Sequence, residues 1–127
     1  MPRTAIHSEQ APAAIGPYSQ ATRAGNLVFF SGQIPLDPAN GNLVEGGIEA
    51  QARQAFDNLK AVCAAAGGSM DDIVRVGLYL TDLGQFATVN SVMGEYFGTP
   101  YPARSTIEVS ALPKGAAFEV DAIMVVG

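Results

Sequence analysis

The 127-residue chain contains one cysteine, one histidine and no tryptophan. Because Cys63 is alone, no intrachain disulfide can form, and we expect a reducing compartment. His7 is the sole histidine, so neither an ordinary zinc ligand set nor a Ser-His-Asp or Cys-His catalytic unit is supported. We interpret His7 as a surface or edge-strand residue and Cys63 as a small buried residue of the core.

Positive charge is also scarce. Seven Lys and Arg residues stand against twelve Asp and Glu residues, which gives a net charge of −5. Nucleic-acid binding depends on clustered cations that contact phosphates, so we expect no nucleic-acid partner. A small anionic ligand stays compatible with this composition, because one well-placed arginine can hold a carboxylate.

Long apolar runs and nucleotide-binding motifs are missing as well. The first ten residues lack the apolar segment of a signal peptide, and no stretch approaches the roughly eighteen apolar residues that span a bilayer. We therefore expect a cytoplasmic protein with no membrane partner. Neither G-x-G-x-x-G nor G-x-x-x-x-G-K-S/T occurs, so no nucleotide cofactor is indicated.

The composition instead favours a packed globular domain. Apolar residues make up 48% of the chain and charged residues only 15%. A chain of this length fits one domain, which we take to cover residues 1–127. With so few charges on a small domain, we expect a partner subunit to cover part of the apolar surface.

The first half of the chain predicts three strands and a helix. Residues 4–7 form a short strand, and residues 20–23 and 26–31 form a hairpin around the tight Ala24-Gly25-Asn26 turn. Residues 35–47, rich in Pro, Gly, Asn and Asp, are predicted as a loop. The predicted helix has one apolar stripe and stops at Gly67-Gly68. The stripe consists of Ile48, Ala52, Ala55, Leu59, Val62 and Ala66.

The second half predicts a strand, a helix and two further strands. Residues 73–81 alternate as a half-buried strand does, and Asp82 with Gln85 matches a capping box that opens the second helix. Strands at 105–111 and 117–126 follow. One face of the second helix carries Phe86, Val89, Met93 and Phe97, and the apolar face of strand 105–111 carries Ile107, Val109 and Ala111. This order favours an α+β fold in which two helices cover one face of a single mixed sheet.

Arg104 is one candidate functional residue. It follows the rigid Pro100-Tyr101-Pro102 segment and shares the polar face of its strand with Thr106. Its planar guanidinium matches a carboxylate bidentately. The alternative is an internal ion pair with a carboxylate of the same two strands, namely Glu108, Glu119 or Asp121.

Three other polar residues are candidates on weaker grounds. Glu119 is flanked by Phe118 and Val120, and partial burial there would raise its pKa and suit it to positioning or deprotonating water. The alternative is a solvated carboxylate on a half-exposed strand. Tyr18 either supplies a hydroxyl to a pocket or packs its ring, and Ser31 either offers a hydroxyl or begins the turn with Gly32.

Five stretches of the chain, in order, resemble segments of the Rid family of imine deaminases, also called the YjgF family. They are AIGPYSQA at 14–21, FFSGQIP at 29–35, QARQAFDNLKAVCAAAG at 51–67, VGLYLTDLGQFATVN at 76–90 and YPARSTIEVSALPKGAAFEVDAI at 101–123. The resemblance implies a chorismate-mutase-like α+β fold, a homotrimer with clefts between subunits, and no cofactor. It also implies hydrolysis of 2-iminopropanoate and 2-iminobutanoate to 2-keto acids and ammonia.

The resemblance further implies roles for individual residues. Arg104 matches the arginine that binds the substrate carboxylate, and Glu119 matches the glutamate that holds the attacking water. The residues that match the cleft lining or its backbone contacts are Tyr18, Ser31, Gly32, Asn90 and Thr106. Many relatives carry cysteine where this chain has Thr106. A backbone contact tolerates that change, but a reactive thiol has no counterpart here.

The position of Glu119 relative to Arg104 predicts a shared site. If the last two strands form a hairpin about Lys114, Glu119 lies opposite Val109, which is about 16 Å along the strand from Arg104. That distance is too long for one small substrate. We therefore predict that Glu119 of a neighbouring subunit completes the site around Arg104.

Two other functions are compatible with the resemblance. One is ribonuclease activity or inhibition of translation, reported for some relatives, against which the acidic charge and the single histidine argue. The other is a non-catalytic trimer that binds small carboxylates or acts like a chaperone. It would keep the Arg104 pocket and release no ammonia.

Overall fold

The computed structural model describes residues 2–127 and contains two helices packed on a mixed six-stranded sheet. This confirms the predicted α+β arrangement. In chain order the elements are β1 Thr4–Ile6, β2 Ala21–Ala24, β3 Leu27–Gln33, α1 Ile48–Ala65, β4 Ile73–Leu80, α2 Phe86–Met93, β5 Ala103–Glu108 and β6 Phe118–Val125. The strand order across the sheet is β1-β2-β3-β6-β4-β5, and β4 and β5 are parallel neighbours.

The predicted hairpin is present between β2 and β3. Ala24 pairs with Leu27, so the turn has two central residues, and Gly25 has a φ of 62° that glycine adopts without a steric penalty. The second strand of this hairpin runs farther than predicted. It continues through Ser31 and Gly32 to Gln33, with a register shift against β6 after Phe30. Ser31 therefore lies inside an irregular strand, and the prediction that it begins a turn is wrong.

Helix α1 buries its predicted stripe against the sheet. Ala52, Ala55, Leu59 and Val62 are fully buried. Phe56, also fully buried, lies at the centre of the core and contacts the rings of the three aromatic residues Tyr96, Phe97 and Phe118. The helix ends before Gly67, whose φ of 86° stops the helical geometry.

Helix α2 is shorter than predicted. Asp82 accepts a hydrogen bond from the Gly84 N–H and caps a 3₁₀ turn, and the α-helix itself runs only from Phe86 to Met93. Phe97 lies beyond the helix, yet it is only 6% exposed because the chain turns back onto the core. The apolar pattern therefore identified a buried residue correctly and overestimated the length of the helix.

The last two strands do not form a hairpin, so the assumption that placed Glu119 opposite Val109 is wrong, and Glu119 instead pairs with Tyr79 of β4. Strand β6 lies between β3 and β4 and is antiparallel to both, whereas β5 is at the edge of the sheet. The alternating residues Phe118, Val120, Ala122 and Met124 are buried under the helices, which a central position satisfies best. Helix α2 makes the crossover from β4 to β5, as a parallel pair requires.

The face of the sheet away from the helices is uncovered. It carries large apolar side chains, with Leu27 37% exposed, Phe29 43% and Ile107 47%. The apolar face predicted for β5 is thus directed away from the helical layer, while Arg104 and Thr106 are directed toward it. Strand β5 also ends at Glu108, so Val109 and Ala111 lie outside it.

None of the helices in residues 2–127 combines the length and apolar character needed to cross a membrane.

Candidate active site

Arg104 is held by helix α2. Its Nη1 donates to Asn90 Oδ1 at 2.7 Å, and its guanidinium carbon lies 5.1 Å from the centre of the Phe86 ring. In the parallel register Arg104 is beside Val76, a fully buried residue under the helices. Arg104 makes no ion pair with any carboxylate of residues 2–127. The alternative of an internal ion pair is therefore wrong.

A cavity of about 460 Å³ lies beside the Arg104 guanidinium. Its lining consists of Asn90, Met93, Gly94, Tyr101, Pro102 and Arg104. Arg104 was a candidate on its own sequence context and Asn90 on the family resemblance, and the structure brings the two into contact. The sequence did not predict the other residues that line the cavity, although it identified Pro100-Tyr101-Pro102 as a rigid segment before Arg104. Thr106, half-buried, lies two residues farther along β5 on the same face.

Glu119 lies on the opposite face of the sheet, on β6. Its carboxylate rests on the Cα of Gly32 in β3, where any Cβ would collide with Glu119 Oε2. The side chain is half-buried, and this burial, followed by the negative charge of Asp121, raises the pKa of Glu119. The prediction of a partly buried carboxyl with a raised pKa is therefore confirmed, and the alternative of a freely solvated one is wrong.

Tyr18 and Ser31 accompany Gly32 and Glu119. The Ser31 hydroxyl donates to the Ser19 carbonyl at 2.6 Å, and the exposed Tyr18 hydroxyl accepts a bond from the Ile15 N–H at 3.4 Å. Tyr18 and Ser31 line one surface cleft, and Tyr18 and Gly32 line a neighbouring cavity of about 340 Å³. Tyr18 and Ser31 therefore both contribute to the wall of a cleft, and the Ser31 hydroxyl is bonded to the backbone there.

The candidate residues thus form two groups in one chain. Arg104, Asn90 and Thr106 lie on the helical side of β5, whereas Glu119, Gly32, Ser31 and Tyr18 lie around β3 and β6. Arg104 is level with Val76 of β4, and Glu119 is level with Tyr79. Three residues along β4 and two strand spacings separate the two Cα atoms by about 14 Å. No single cavity in residues 2–127 is lined by both groups among those described.

A polar pair on the same face as Glu119 was not predicted. The Tyr79 hydroxyl donates to Asp121 Oδ2 at 2.9 Å. Partial burial and this bond raise the pKa of Tyr79. The signal in the sequence was Gly77, because a glycine in the interior of a strand often marks close approach of other atoms to the backbone.

The remaining reactive residue types line none of the cavities that contain the two groups. His7 is an exposed residue that follows β1 and hydrogen-bonds Glu9 Oε1 at 2.9 Å. Cys63 is fully buried in α1, and burial raises the pKa of its thiol to about 12. Within residues 2–127 no three His, Cys, Asp or Glu side chains cluster as metal ligands.

Comparison with known proteins places this arrangement in a family. Residues 8–126 match the family model described as Endoribonuclease L-PSP. The chain is 57% identical over 127 residues to the protein DfrA of Myxococcus xanthus, covering 98% of this chain and 97% of that protein. It is 44% identical over 125 residues to a 2-iminobutanoate/2-iminopropanoate deaminase of Dermatophagoides farinae, covering 98% of each.

A solved structure agrees with the fold. The crystal structure of RidA from the Antarctic bacterium Psychrobacter sp. PAMC 21119 superposes with a TM-score of 0.93 at 47% identity, covering 97% of this chain and 99% of that one. The match to the family model extends over nearly the whole sequence, and the identities are far above those of fold-level similarity. The chain therefore belongs to the Endoribonuclease L-PSP family, which is the Rid or YjgF family.

Proposed function

We propose that the protein hydrolyses reactive 2-imino acids, such as 2-iminopropanoate and 2-iminobutanoate, to 2-keto acids and ammonia. The supporting observation is the Arg104 guanidinium, which is fixed by Asn90 and Phe86 but paired with no carboxylate of residues 2–127. The cavity of about 460 Å³ beside it has ample room for a three- or four-carbon acid. Relatives at 43–44% identity are named as deaminases of these imines.

Arg104 would bind the substrate carboxylate. A guanidinium offers parallel N–H donors that match both carboxylate oxygens, so it fixes orientation as well as charge. Asn90 occupies one hydrogen of Nη1 and stops the guanidinium from rotating, and the Phe86 ring supports it from one side. The carbon of the C=N bond then takes a defined position relative to the carboxylate, and such orientation accounts for much of the rate of reactions of this kind.

Glu119 would hold the attacking water. As the water oxygen bonds to the C=N carbon, the Glu119 carboxylate accepts a proton from the water and then donates it to the nitrogen, which gives a 2-amino-2-hydroxy acid. A second proton passes from the hydroxyl through Glu119 to the nitrogen, the C–N bond breaks and ammonia leaves, and the hydroxyl oxygen becomes the keto oxygen. The half-buried carboxylate with its raised pKa is a stronger base than a solvated glutamate, which suits it to this proton transfer.

A homotrimer with sites between subunits is part of this proposal. Arg104 and Glu119 of one chain lie on opposite faces of the sheet, about 14 Å apart, so one small substrate cannot contact both. Glu119 of a neighbouring subunit near Arg104 would complete the site. The exposed Leu27, Phe29 and Ile107 on the uncovered sheet face favour a second copy as its cover, in the chorismate-mutase-like manner that the family resemblance implies.

Ribonuclease activity is the alternative that the description of the family model suggests. The net charge of −5 opposes binding of a polyanion. The single histidine lies exposed beyond β1 and lines none of the three cavities that contain the site residues. We therefore favour the deaminase.

A coupled assay tests the proposal. A pyridoxal-phosphate-dependent serine or threonine dehydratase generates the imine, semicarbazide traps it, and the purified protein is added in increasing amounts. We expect faster keto-acid release and a smaller yield of the semicarbazone. If the purified protein changes neither the rate of keto-acid release nor the yield of the semicarbazone, yet still binds 2-oxobutanoate, it is a non-catalytic binder. RNA cleavage that is lost in an Arg104→Ala variant, without imine hydrolysis, would favour the ribonuclease.

A further inference from the structure

The two acidic residues on the uncovered face of β6 are directed toward different neighbouring strands. Glu119 reaches over Gly32 of β3, and Asp121 reaches over Gly77 of β4. Each carboxylate occupies space that a Cβ at the glycine below would fill. A Cβ at Gly77 would lie 2.5 Å from Asp121 Oδ1 and 2.8 Å from the Tyr79 hydroxyl. The two glycines, one on each neighbouring strand, therefore leave the space that the Glu119 and Asp121 carboxylates occupy.

Tyr79 is the cross-strand partner of Glu119 but bonds another residue. In the β4–β6 register Tyr79 is directly opposite Glu119, and Gly77 is directly opposite Asp121. Directly opposite side chains lie about 5 Å apart at Cβ, closer than diagonal ones. The Tyr79 ring nevertheless extends across Gly77 and donates diagonally to Asp121 Oδ2 at 2.9 Å. A residue larger than glycine at position 77 would block this path.

Glu119 is left without a protein hydrogen-bond donor. Its carboxylate takes part in no side-chain hydrogen bond or ion pair of residues 2–127, although Tyr79 stands opposite it. Around it, β3 contributes Gly32 and no charge, and β6 contributes Asp121. The charged residue of β4 is Arg75, which lies four residues before Tyr79. It donates to Ser105 Oγ of β5 at 3.0 Å rather than to Glu119.

We propose that Tyr79 and Asp121 form a positioning pair, which directs the Tyr79 hydroxyl away from Glu119 and so reserves the Glu119 carboxylate for water. The proposal rests on the proposed function for its consequence in catalysis. Neither residue touches substrate in this role, because both act through Glu119. The repulsion between the Asp121 and Glu119 carboxylates adds to burial in raising the pKa of Glu119, which agrees with a base kept ready to accept a proton.

Three substitutions separate the charge of Asp121 from its hydrogen bond. Asp121→Asn removes the charge and keeps an oxygen that accepts from Tyr79. Asp121→Ala removes both and frees the Tyr79 hydroxyl to donate to Glu119. Tyr79→Phe removes the hydroxyl and keeps the charge. Asp71→Asn, at an exposed aspartate in the 3₁₀ turn that precedes β4 and eight residues before Tyr79, is the matched control for loss of one negative charge.

The first measurement is a titration of Glu119 by NMR with ¹³C-labelled glutamate carboxyls, with the resonance assigned by its loss in Glu119→Gln. We expect the pKa of Glu119 to fall in Asp121→Asn, because the repulsion from the neighbouring carboxylate is removed. It should fall further in Asp121→Ala, and it should not fall in Tyr79→Phe or Asp71→Asn. An unchanged pKa of Glu119 in both Asp121 variants would overturn the proposal. This measurement does not depend on enzymatic activity.

The second measurement is the pH dependence of kcat/KM for imine hydrolysis. Since Glu119 must be ionised to accept a proton, activity falls as the pH drops through its pKa. We expect the acidic limb to move to lower pH in Asp121→Asn and to stay in place in Asp71→Asn. If the pKa of Glu119 shifts in an active variant but the acidic limb of its kcat/KM profile stays in place, the catalytic part of the proposal is overturned. Complete absence of imine hydrolysis in the parent protein would instead refute the proposed function, and the titration would still decide whether the pair acts on Glu119.

Discussion

Arg104 and Glu119 lie on opposite faces of one sheet, with β4 between their strands. Arg104 is level with Val76 and is directed toward α2, while Glu119 is level with Tyr79 on the face away from the helices. If one small substrate contacts both side chains, one of them must come from a second copy of the chain.

Replacing Arg104 with Ala is expected to lower kcat/KM for imine hydrolysis by about 100-fold or more, since charge-assisted hydrogen bonds to the substrate carboxylate are lost. Arg104→Lys should recover only part of this loss, because an ammonium cannot form the bidentate contact. Thermal unfolding should change little because Arg104 is exposed. Arg23→Ala, at an arginine whose Nε donates to the Gly25 carbonyl, is the control. Near-normal kcat/KM in Arg104→Ala would contradict the role assigned to the guanidinium.

Mixing two inactive variants is expected to restore activity. Arg104→Ala subunits retain Glu119, and Glu119→Gln subunits retain Arg104. After the two are unfolded and refolded together in equal amounts, about one quarter of the inter-subunit sites in random trimers should contain both native residues. Keto-acid release by the mixture, compared with each variant refolded alone, measures this directly. If both residues served a site within one chain, the mixture would remain as inactive as its components.

Replacing Gly32 with Ala is expected to lower kcat more than it raises KM. The added methyl group occupies the space of the Glu119 carboxylate, which must rotate away from its present position. Gly47→Ala is the matched control, because a Cβ there meets no atom within 4 Å. Steady-state kinetics with circular dichroism on both variants check the expectation. Equal kcat in Gly32→Ala and the parent would show that the placement of Glu119 on Gly32 has no part in the reaction.

Cys63 is expected to be inert toward thiol reagents in the folded protein. It is fully buried, and burial raises its pKa to about 12, so the reactive thiolate is scarce at neutral pH. Labelling with a chromogenic disulfide at pH 8 should be slow in the native state and immediate in denaturant. Fast native labelling would mean that α1 opens readily. Cys63→Ala should leave imine hydrolysis unchanged, because the thiol lies in the core.

Much of the fold could be predicted from periodicity. The stripe from Ile48 to Ala66 identified α1, and the Ala24-Gly25-Asn26 turn identified the first hairpin, because both signals are local. The end of α2 was missed, since Phe97 is buried after a turn rather than on the helix. The pairing of β5 with β6 was wrong because the alternation within a strand defines its faces but not its neighbours.

The candidate site was predicted unevenly for the same reason. The contact between Arg104 and Asn90 agrees with two residues assigned by family resemblance, although fourteen positions separate them. The Tyr79–Asp121 pair was missed, since the two residues meet only because β4 and β6 are adjacent. Gly77 was the available signal, and its meaning depends on which side chain crosses it.

By itself, the sequence determined the secondary-structure types, the α+β class and the chemical groups on offer, because these depend on local spacing and residue chemistry. The tertiary structure decided that β6 is inserted between β3 and β4 and that β5 is an edge strand. That order assigns Arg104 and Glu119 to opposite faces and places the carboxylate of Glu119 on Gly32. Strand order is a property of contacts between distant segments, where buried apolar area and backbone pairing act together, and no local pattern encodes it.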